Sequence, residues 1–508
     1  MKSILPSRKK LVAPLLLALL VASFFVGCSV QNNSATTRFY HNLTTRYNVY
    51  YNGNNAFQEA YKKQLTEAPD NLAERIMIEP IVGVSKEALL DSKGPFDQAI
   101  EKGQKAIRLH SIRSKPSGKK RNTPFYQKRE YNTFIHNAWL LVGKSQYHNG
   151  NFLDAMATFS YMARLYKEEP NIKDIARLWQ ARCYLALEWT DDAARIIAST
   201  RADSPIAKSA LYGKTEADLA IQEGRYRDAI PMLEQAIRKE KSKLARIRLR
   251  FLKGQLESES GLAKDAQRSF SKVIASAPAF PIEVTARLNI ISLDAETQPK
   301  EALKKLNKML RKERYSQVID KVALSKGRIL LAQKDTIPAI EAFSLGAEKS
   351  QQKAYEYALC RIALAEIFLA KGKFVKAAKE LSAGLSALRE NYPHYAELKR
   401  LSEQMDELSR HAMVVDEQDS LRHLASMPEV ERLHIIDSAI TAYKKQIKEQ
   451  GREELLAEQQ ERQNAFNQEV GNNRTTNPSF TPSVQVSDKS FYFCLLYTSD
   501  AADDIALV

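Results

Sequence analysis

The side chains able to do chemistry are eight histidines, four cysteines and sixty carboxylates, and their spacing decides what they could do. His41, His110, His136, His148, His394, His411, His423 and His434 never stand at a metal-ligand spacing with a second His or with a Cys. His423 and His434 could share one helical face, although a solvated helix accounts for both. Cys28, Cys183, Cys360 and Cys494 lie far apart with no C-x-x-C pair, so neither a zinc site nor a redox pair is expected. Cys183 and Cys360 fall in apolar helical stretches and are expected as small buried core residues. A disulfide between them is open in an oxidising compartment. The chain has no phosphate-cradling glycine loop, no H-E-x-x-H and no G-x-S-x-G. Carboxylate pairs abound on helices, and nothing marks one as catalytic. The expectation is therefore no enzyme, no metal, no cofactor and no small-molecule substrate.

One thiol does have a chemical context. Lys2, Arg8, Lys9 and Lys10 precede an apolar run from Leu11 to Phe25, which is shorter than the ~20 residues that span a bilayer as a helix. The ending Phe25-Val26-Gly27-Cys28 resembles a bacterial lipobox, with Phe25 where Leu is usual. A small residue before Cys28 lets a signal peptidase approach, and the thiol accepts a diacylglyceryl group. Two or more acyl chains hold a protein stably where one would not. Residues 1–27 then form a lipoprotein signal peptide and residues 28–37 a lipidated tether. No acidic cluster follows Cys28, which favours the periplasmic face of an outer membrane.

Binding chemistry concentrates in Arg38-Phe39-Tyr40-His41-Asn42-Leu43-Thr44-Thr45-Arg46-Tyr47-Asn48-Val49-Tyr50-Tyr51. Tyrosine and arginine favour interface hot spots, so Arg46, Tyr47, Tyr50 and Tyr51 are candidate partner-binding residues; a plain first helix pair is the other reading. A basic loop over 111–124, with five basic residues within Arg113–Arg121, is a second candidate contact. The formal net charge of +16 and pI near 9.4 point to acidic partners. The export signal argues against nucleic acid among them.

The elements that must carry these residues repeat. Trp139-Leu140-Leu141-Val142-Gly143, then Tyr147, Gly150, Phe152, Ala155, Phe159 and Pro170, resembles a tetratricopeptide unit, a helix–turn–helix. Ala155 is followed at intervals of 36 to 38 residues by Ala193, Ala229, Ala266, Ala302, Ala339 and Ala377. Four residues after each stands a large apolar residue: Phe159, Ile197, Leu233, Phe270, Leu306, Phe343 and Leu381. That offset is one helical turn, so both share a face. Twelve residues before each stand Gly143, Ala181, Ala217, Gly254, Ile290, Gly327 and Ala365. Helix axes approach to about 8–10 Å only where contact residues permit, and small residues on both helices do so. Ile290 breaks the rule, so the fifth unit is expected to be distorted. Gly150, Gly224, Gly261 and Gly372 suit C-terminal caps between paired helices.

The expected fold is all-α: a tetratricopeptide-type solenoid of about seven repeats over 136–395, behind an N-terminal helical region over 38–135. Charged C-terminal helices follow over 396–468, where Ala396 to Met413 could cap the array with a polar outer face. Residues 469–493 read as disordered, and 494–508 as sequencing-adapter read-through.

Leu43-Thr44-Thr45-Arg46-Tyr47-Asn48-Val49-Tyr50-Tyr51-Asn52-Gly53 resembles the opening signature of the PorW/SprE lipoproteins of type IX secretion and gliding motility. Gln418-Asp419-Ser420-Leu421 and Met427-Pro428-Glu429 resemble that family too. The resemblance implies a non-enzymatic, periplasm-facing outer-membrane lipoprotein that links periplasmic components of the secretion machinery to the outer-membrane translocon. It transfers no catalytic residues. The alternatives are a SusD-like glycan-binding lipoprotein, which would expose an aromatic platform, and a BamD-like outer-membrane assembly lipoprotein, which would be shorter.

Overall fold

The computed structural model describes residues 29–472, except 69, 82, 84–93, 118–122, 201–203, 352, 354, 389, 391 and 393. The signal peptide, Cys28, Cys494 and the expected read-through lie outside the described residues, as do Gly118 to Arg121 of the basic loop. Among the described residues the regular elements are all helical, with no strand. None of these helices is long and apolar enough to cross a membrane. The chain divides into two compact units, one up to Asp406 and one from Glu407.

The first unit opens with α1 (Ala35–Thr44), a π-helical stretch (Thr45–Tyr50) and α2 (Tyr51–Thr66). Ser34 caps α1 by accepting from the Thr37 amide at 3.1 Å, Asn33 donates to the Ser114 carbonyl at 2.6 Å and the Val30 carbonyl accepts from the Ser114 hydroxyl at 3.4 Å, so the chain is bonded from Val30 onward, inside the expected tether. Next come α3 (Asp97–His110) and the short α4 (Pro124–Gln127). Seven helix pairs follow: α5 (His136–His148) with α6 (Phe152–Leu165), α7 (Pro170–Ala186) with α8 (Thr190–Ala198), and α9 (Ala210–Gln222) with α10 (Tyr226–Lys239). The others are α11 (Lys243–Glu259) with α12 (Ala263–Ala275), α13 (Phe280–Ala295) with α14 (Pro299–Leu310), α15 (Ile319–Ala332) with α16 (Thr336–Lys349), and α17 (Tyr355–Ala370) with α18 (Phe374–Leu385). Each helix packs on its predecessor and successor, and first helices of several neighbouring pairs also touch.

Two local devices set this geometry. The first is the turn within each pair. Gly150, Gly224, Gly261 and Gly372 take left-handed φ angles of 69° to 85°, and Glu188 and Lys334 take the same conformation in their own units. All six stand five residues before a repeat alanine. The residue after each donates its amide across the turn, as from Asn151 to the Gln146 carbonyl at 2.9 Å and from Leu262 to the Glu257 carbonyl at 2.8 Å. That bond satisfies a carbonyl left open at the helix end. In the fifth unit the equivalent residue, Thr297, is not left-handed, and Gln298 bonds to Asp294 instead.

The second device is a volume match between paired helices. A Cβ built on Gly143, Gly254 or Gly327 would come within 2.4–2.8 Å of Phe159, Phe270 or Phe343. Where the small residue is Ala181, Ala217 or Ala365, the facing residue is the smaller Ile197, Leu233 or Leu381 in the same core cluster. Interiors pack to crystal-like density, so the sum of the two volumes is what the pair conserves. Ile290 packs into the cluster around Phe270 and Ala286, while Leu306 belongs to a separate one with Val284 and Leu288. The seven repeat alanines are all buried, at 0–1% exposure.

At the C-terminal end of this unit, α19 (Tyr395–Ser426) starts by packing Leu398, Leu401 and Met405 on the core of the seventh pair. The second unit comprises the remainder of that helix and α20 (Glu429–Asn472). Helix α20 includes residues 469–472, so it runs into the segment expected to be disordered. Leu433, Ile436, Ile440, Tyr443 and Ile447, spaced three and four apart along α20, are exposed.

Candidate functional site

Two sites are built from the N-terminal 83 residues. The first is the outer face of α1 and its π extension. Phe39, Leu43, Tyr47 and Tyr51 are 45–69% exposed, each four residues from the last. On the opposite face Thr37, His41, Thr45, Val49, Gly53 and Phe57 are buried at the same spacing. A four-residue step overshoots one α-helical turn by about 40°, and the wider π turn corrects that drift. The π stretch thus keeps an apolar and aromatic stripe in line over three helical segments. Arg46 lies over the Tyr47 ring at 5.2 Å and the Phe134 ring at 5.8 Å. Arg46, Tyr47 and Tyr51 are therefore on the surface, but Tyr50 is not beside them. Its ring turns inward, edge-on to Phe134 at 5.1 Å, and burial raises its pKa.

Beneath the stripe sit buried histidines. His41 and His110 face each other Nδ1 to Nδ1 at 2.8 Å, a contact that requires one ring to donate and the other to accept. Burial and then His41 depress His110 to about 4.

The second site is an irregular strap, residues 70–81 with Gly83, lying across the first helices of several pairs. Its backbone is held by side chains. Gln255 of α11 accepts from the Ile76 amide at 3.1 Å and donates to the Glu74 carbonyl at 2.6 Å. Arg248, two turns earlier, donates to the carbonyls of Met77 (2.6 Å) and Ile78 (3.3 Å) and pairs with Asp70. Tyr355 of α17 donates to Glu74 at 2.7 Å. Arg75 pairs with Glu259 at 2.8 Å and lies 4.4 Å over the Tyr226 ring. Ile76 and Ile78 bury their side chains among Leu252, Leu233 and Ile247.

Glu79 is the strap's chemical focus. It lies 3.1 Å from Lys214 and 3.8 Å from Arg182, and accepts from the Tyr61 hydroxyl at 3.2 Å. Lys214 also pairs with Glu240 at 2.6 Å. Arg182, 1% exposed, donates to the Tyr147 hydroxyl at 3.3 Å and stacks over the Tyr147 and Trp179 rings. Burial alone would raise the Glu79 pKa, but Lys214, Arg182 and His148 outweigh it and hold the carboxyl at about 2. Burial takes His148 down to about 3 against the pull of Glu79. Burial would lower Lys214, yet Glu79 and Glu240 raise it. Beside the strap a cavity of about 710 Å³ opens between Ile78, Glu79 and Gly83 and the walls Tyr147, Leu185 and Asp218.

The sequence has no periodicity that shows the strap, although it carries a signal for two of its partners, Arg182 and Gln255. The position eleven residues before the repeat alanine holds Lys144, Arg182, Asp218 and Gln255 in the first four units, polar residues inside otherwise apolar helices. Cys183 and Cys360 are free and buried, in different pairs, with burial raising both thiols, Cys360 to about 12. Among the described residues no group of three His, Cys, Asp or Glu could hold a metal ion. No protein-family model matches the chain, and no curated protein matches it.

Proposed function

We propose that the chain is a non-enzymatic, tetratricopeptide-type scaffold, anchored through an acylated Cys28 to the periplasmic face of the outer membrane. In this reading it serves type IX secretion and gliding by linking periplasmic components to the outer-membrane translocon. The observation that carries the binding role is the exposed stripe Phe39, Leu43, Tyr47 and Tyr51, which begins eleven residues after Cys28 in the sequence. Contiguous exposed aromatics beside arginine are the composition of hot spots, and scattered surface apolars are not. The acyl anchor would keep this stripe close to the membrane, within reach of an integral partner.

The test separates docking from folding. Tyr47→Ala and Tyr51→Ala remove exposed rings and should change stability by no more than about 0.5 kcal/mol. Each should nevertheless reduce recovery of crosslinked envelope partners, with an affinity loss of roughly 2 kcal/mol, near thirtyfold, for a hot spot. Tyr50→Ala should instead lower the melting temperature. Cys28→Ala should leave the outer-membrane fraction. If both folded tyrosine variants recover every partner of the wild type, the docking role is wrong. A Cys28→Ala chain that still fractionates with the outer membrane removes the anchor.

A further inference from the structure

We propose that the first-helix face of pairs two to four is a peptide-reading groove, that residues 70–81 are its resident occupant, and that the partner it fits is an extended protein segment carrying a glutamate. The contacts that hold the strap are those of ligand recognition. Gln255 reads an amide and a carbonyl two residues apart, and Arg248 takes two further carbonyls. Contacts to backbone do not depend on the occupant's sequence. Specificity comes from carboxylates: above all the buried Glu79, received by Lys214, Arg182 and the Tyr61 hydroxyl, with Asp70 paired to Arg248 at the other end. Two apolar side chains of alternate residues, Ile76 and Ile78, fill the cluster between these polar clamps. Ile76 and Ile78 lie on one side and the exposed Met77 on the other, as in an extended segment, and the chain then bends at Ile78–Glu79 so that the carboxylate also turns inward.

From Glu74 onward the strap also runs opposite to the array. Glu74 meets the seventh pair and Ile76 the fourth, while Glu79 meets the third and second, and Gly83 closes on Phe152 of the first. A trans segment in that direction would meet the same clamps in the same order. The adjoining cavity, lined by Leu185 and Asp218, leaves room for side chains larger than those the strap supplies. The groove goes beyond the scaffold role proposed above and uses a different surface from the tyrosine stripe.

The probe is a fluorescent synthetic peptide copying residues 70–83, titrated into the purified full chain in detergent. In the wild type the resident strap blocks the groove, and anisotropy should stay flat. Ile76→Ser with Ile78→Ser loosens the strap without touching the clamp; this variant should keep its helical circular dichroism and bind the peptide saturably. Adding Arg248→Ala, or using a peptide with Glu79→Gln, should weaken binding by about tenfold or more, the loss expected for hydrogen bonds to a charged group. A folded Ile76→Ser/Ile78→Ser chain that binds no peptide overturns the proposal. So does binding indifferent to Arg248 and to the peptide's carboxylate. Loss of helical circular dichroism in the Ile76→Ser/Ile78→Ser chain overturns it as well, because the strap is then part of the core and not an occupant. No membrane or secretion component enters the assay, so its failure leaves the envelope role standing, and the reverse holds.

Discussion

Three buried ionisable side chains make the N-terminal end of the first unit lose stability in acid. His148 is held at about 3 and His110 at about 4, both below the ordinary 6.5. As pH falls below 6.5 the unfolded chain takes up these protons first, so the stability held by the neutral rings is complete above 6.5 and drains away toward pH 3. Glu79, held at about 2 against an ordinary 4.5, contributes stability that is complete above 4.5 and is lost only between there and pH 2. Melting temperature should therefore start to fall below pH 6.5 and drop more steeply below 4.5. His148 accepts no replacement for free, since its ring stacks on Phe96 and bonds to Gln64. His148→Gln should lower the melting temperature at pH 7 and flatten its slope between pH 6.5 and 4.5. An unchanged slope would mean that His148 is not the group titrating. None of this is readable from the sequence, where a histidine's burial depends on aromatic neighbours from α2, the N-cap of α3 and α7.

Helix pairing obeys a volume rule that a single substitution can break and a second can mend. The Cβ of Gly254→Ala would sit 2.8–3.0 Å from the Phe270 ring, so the variant should cost about 1–3 kcal/mol by overpacking. Phe270→Leu, which copies the Ala217–Leu233 pair, should relieve most of that clash, and the double variant should be less destabilised than the two single losses summed. Strict additivity in urea titrations would show that the two sites do not share a contact. The turns make a second prediction. A non-glycine residue in the left-handed region costs about 1–2 kcal/mol, against roughly 0.5–1 for the extra chain entropy of glycine. Lys334→Gly should therefore raise stability by up to about 1 kcal/mol. Gly261→Ala, whose Cβ meets nothing within 4 Å, should lower it by about the same through the backbone alone. The helical pairing was legible because alanine, its neighbour one turn on and the small residue twelve before recur together. Ile290 likewise marked the unit whose turn departs from the rest. The π stretch was not legible: its six residues look like ordinary helix, and only the burial of every fourth residue from Thr37 to Phe57 reveals it.

On the scale of the first unit, the strap changes what kind of object a helical array is. Repeats that touch only their neighbours unfold piecewise, since stability is a sum of local terms. Here residues 70–81 and Gly83 connect the second, third, fourth and seventh pairs through bonds spanning up to 281 residues of sequence, Glu74 to Tyr355, and reach the first pair through packing of Ile81. Urea unfolding of the wild-type unit should accordingly be one steep transition. Arg248→Ala should lower its m-value or split it in two, because fewer pairs then open together. An unchanged m-value with a lower midpoint would confine Arg248 to a local role. The strap escaped the sequence reading for a physical reason: an irregular segment has no periodicity, and apart from Tyr61 the residues that grip it lie 103 (Glu79 to Arg182) to 281 (Glu74 to Tyr355) positions away. The same separation sets a timetable. Protein chains are made N-terminus first, so Glu79 emerges well before Lys214, and Asp70 long before Arg248. Until roughly half the chain exists, Ile76, Ile78 and an ionised Glu79 have nowhere to go. The nascent N-terminal segment is therefore exposed apolar chain waiting for its receptor, the stretch on which a chaperone would act, and its closure over large loops is a late step in reaching the native state.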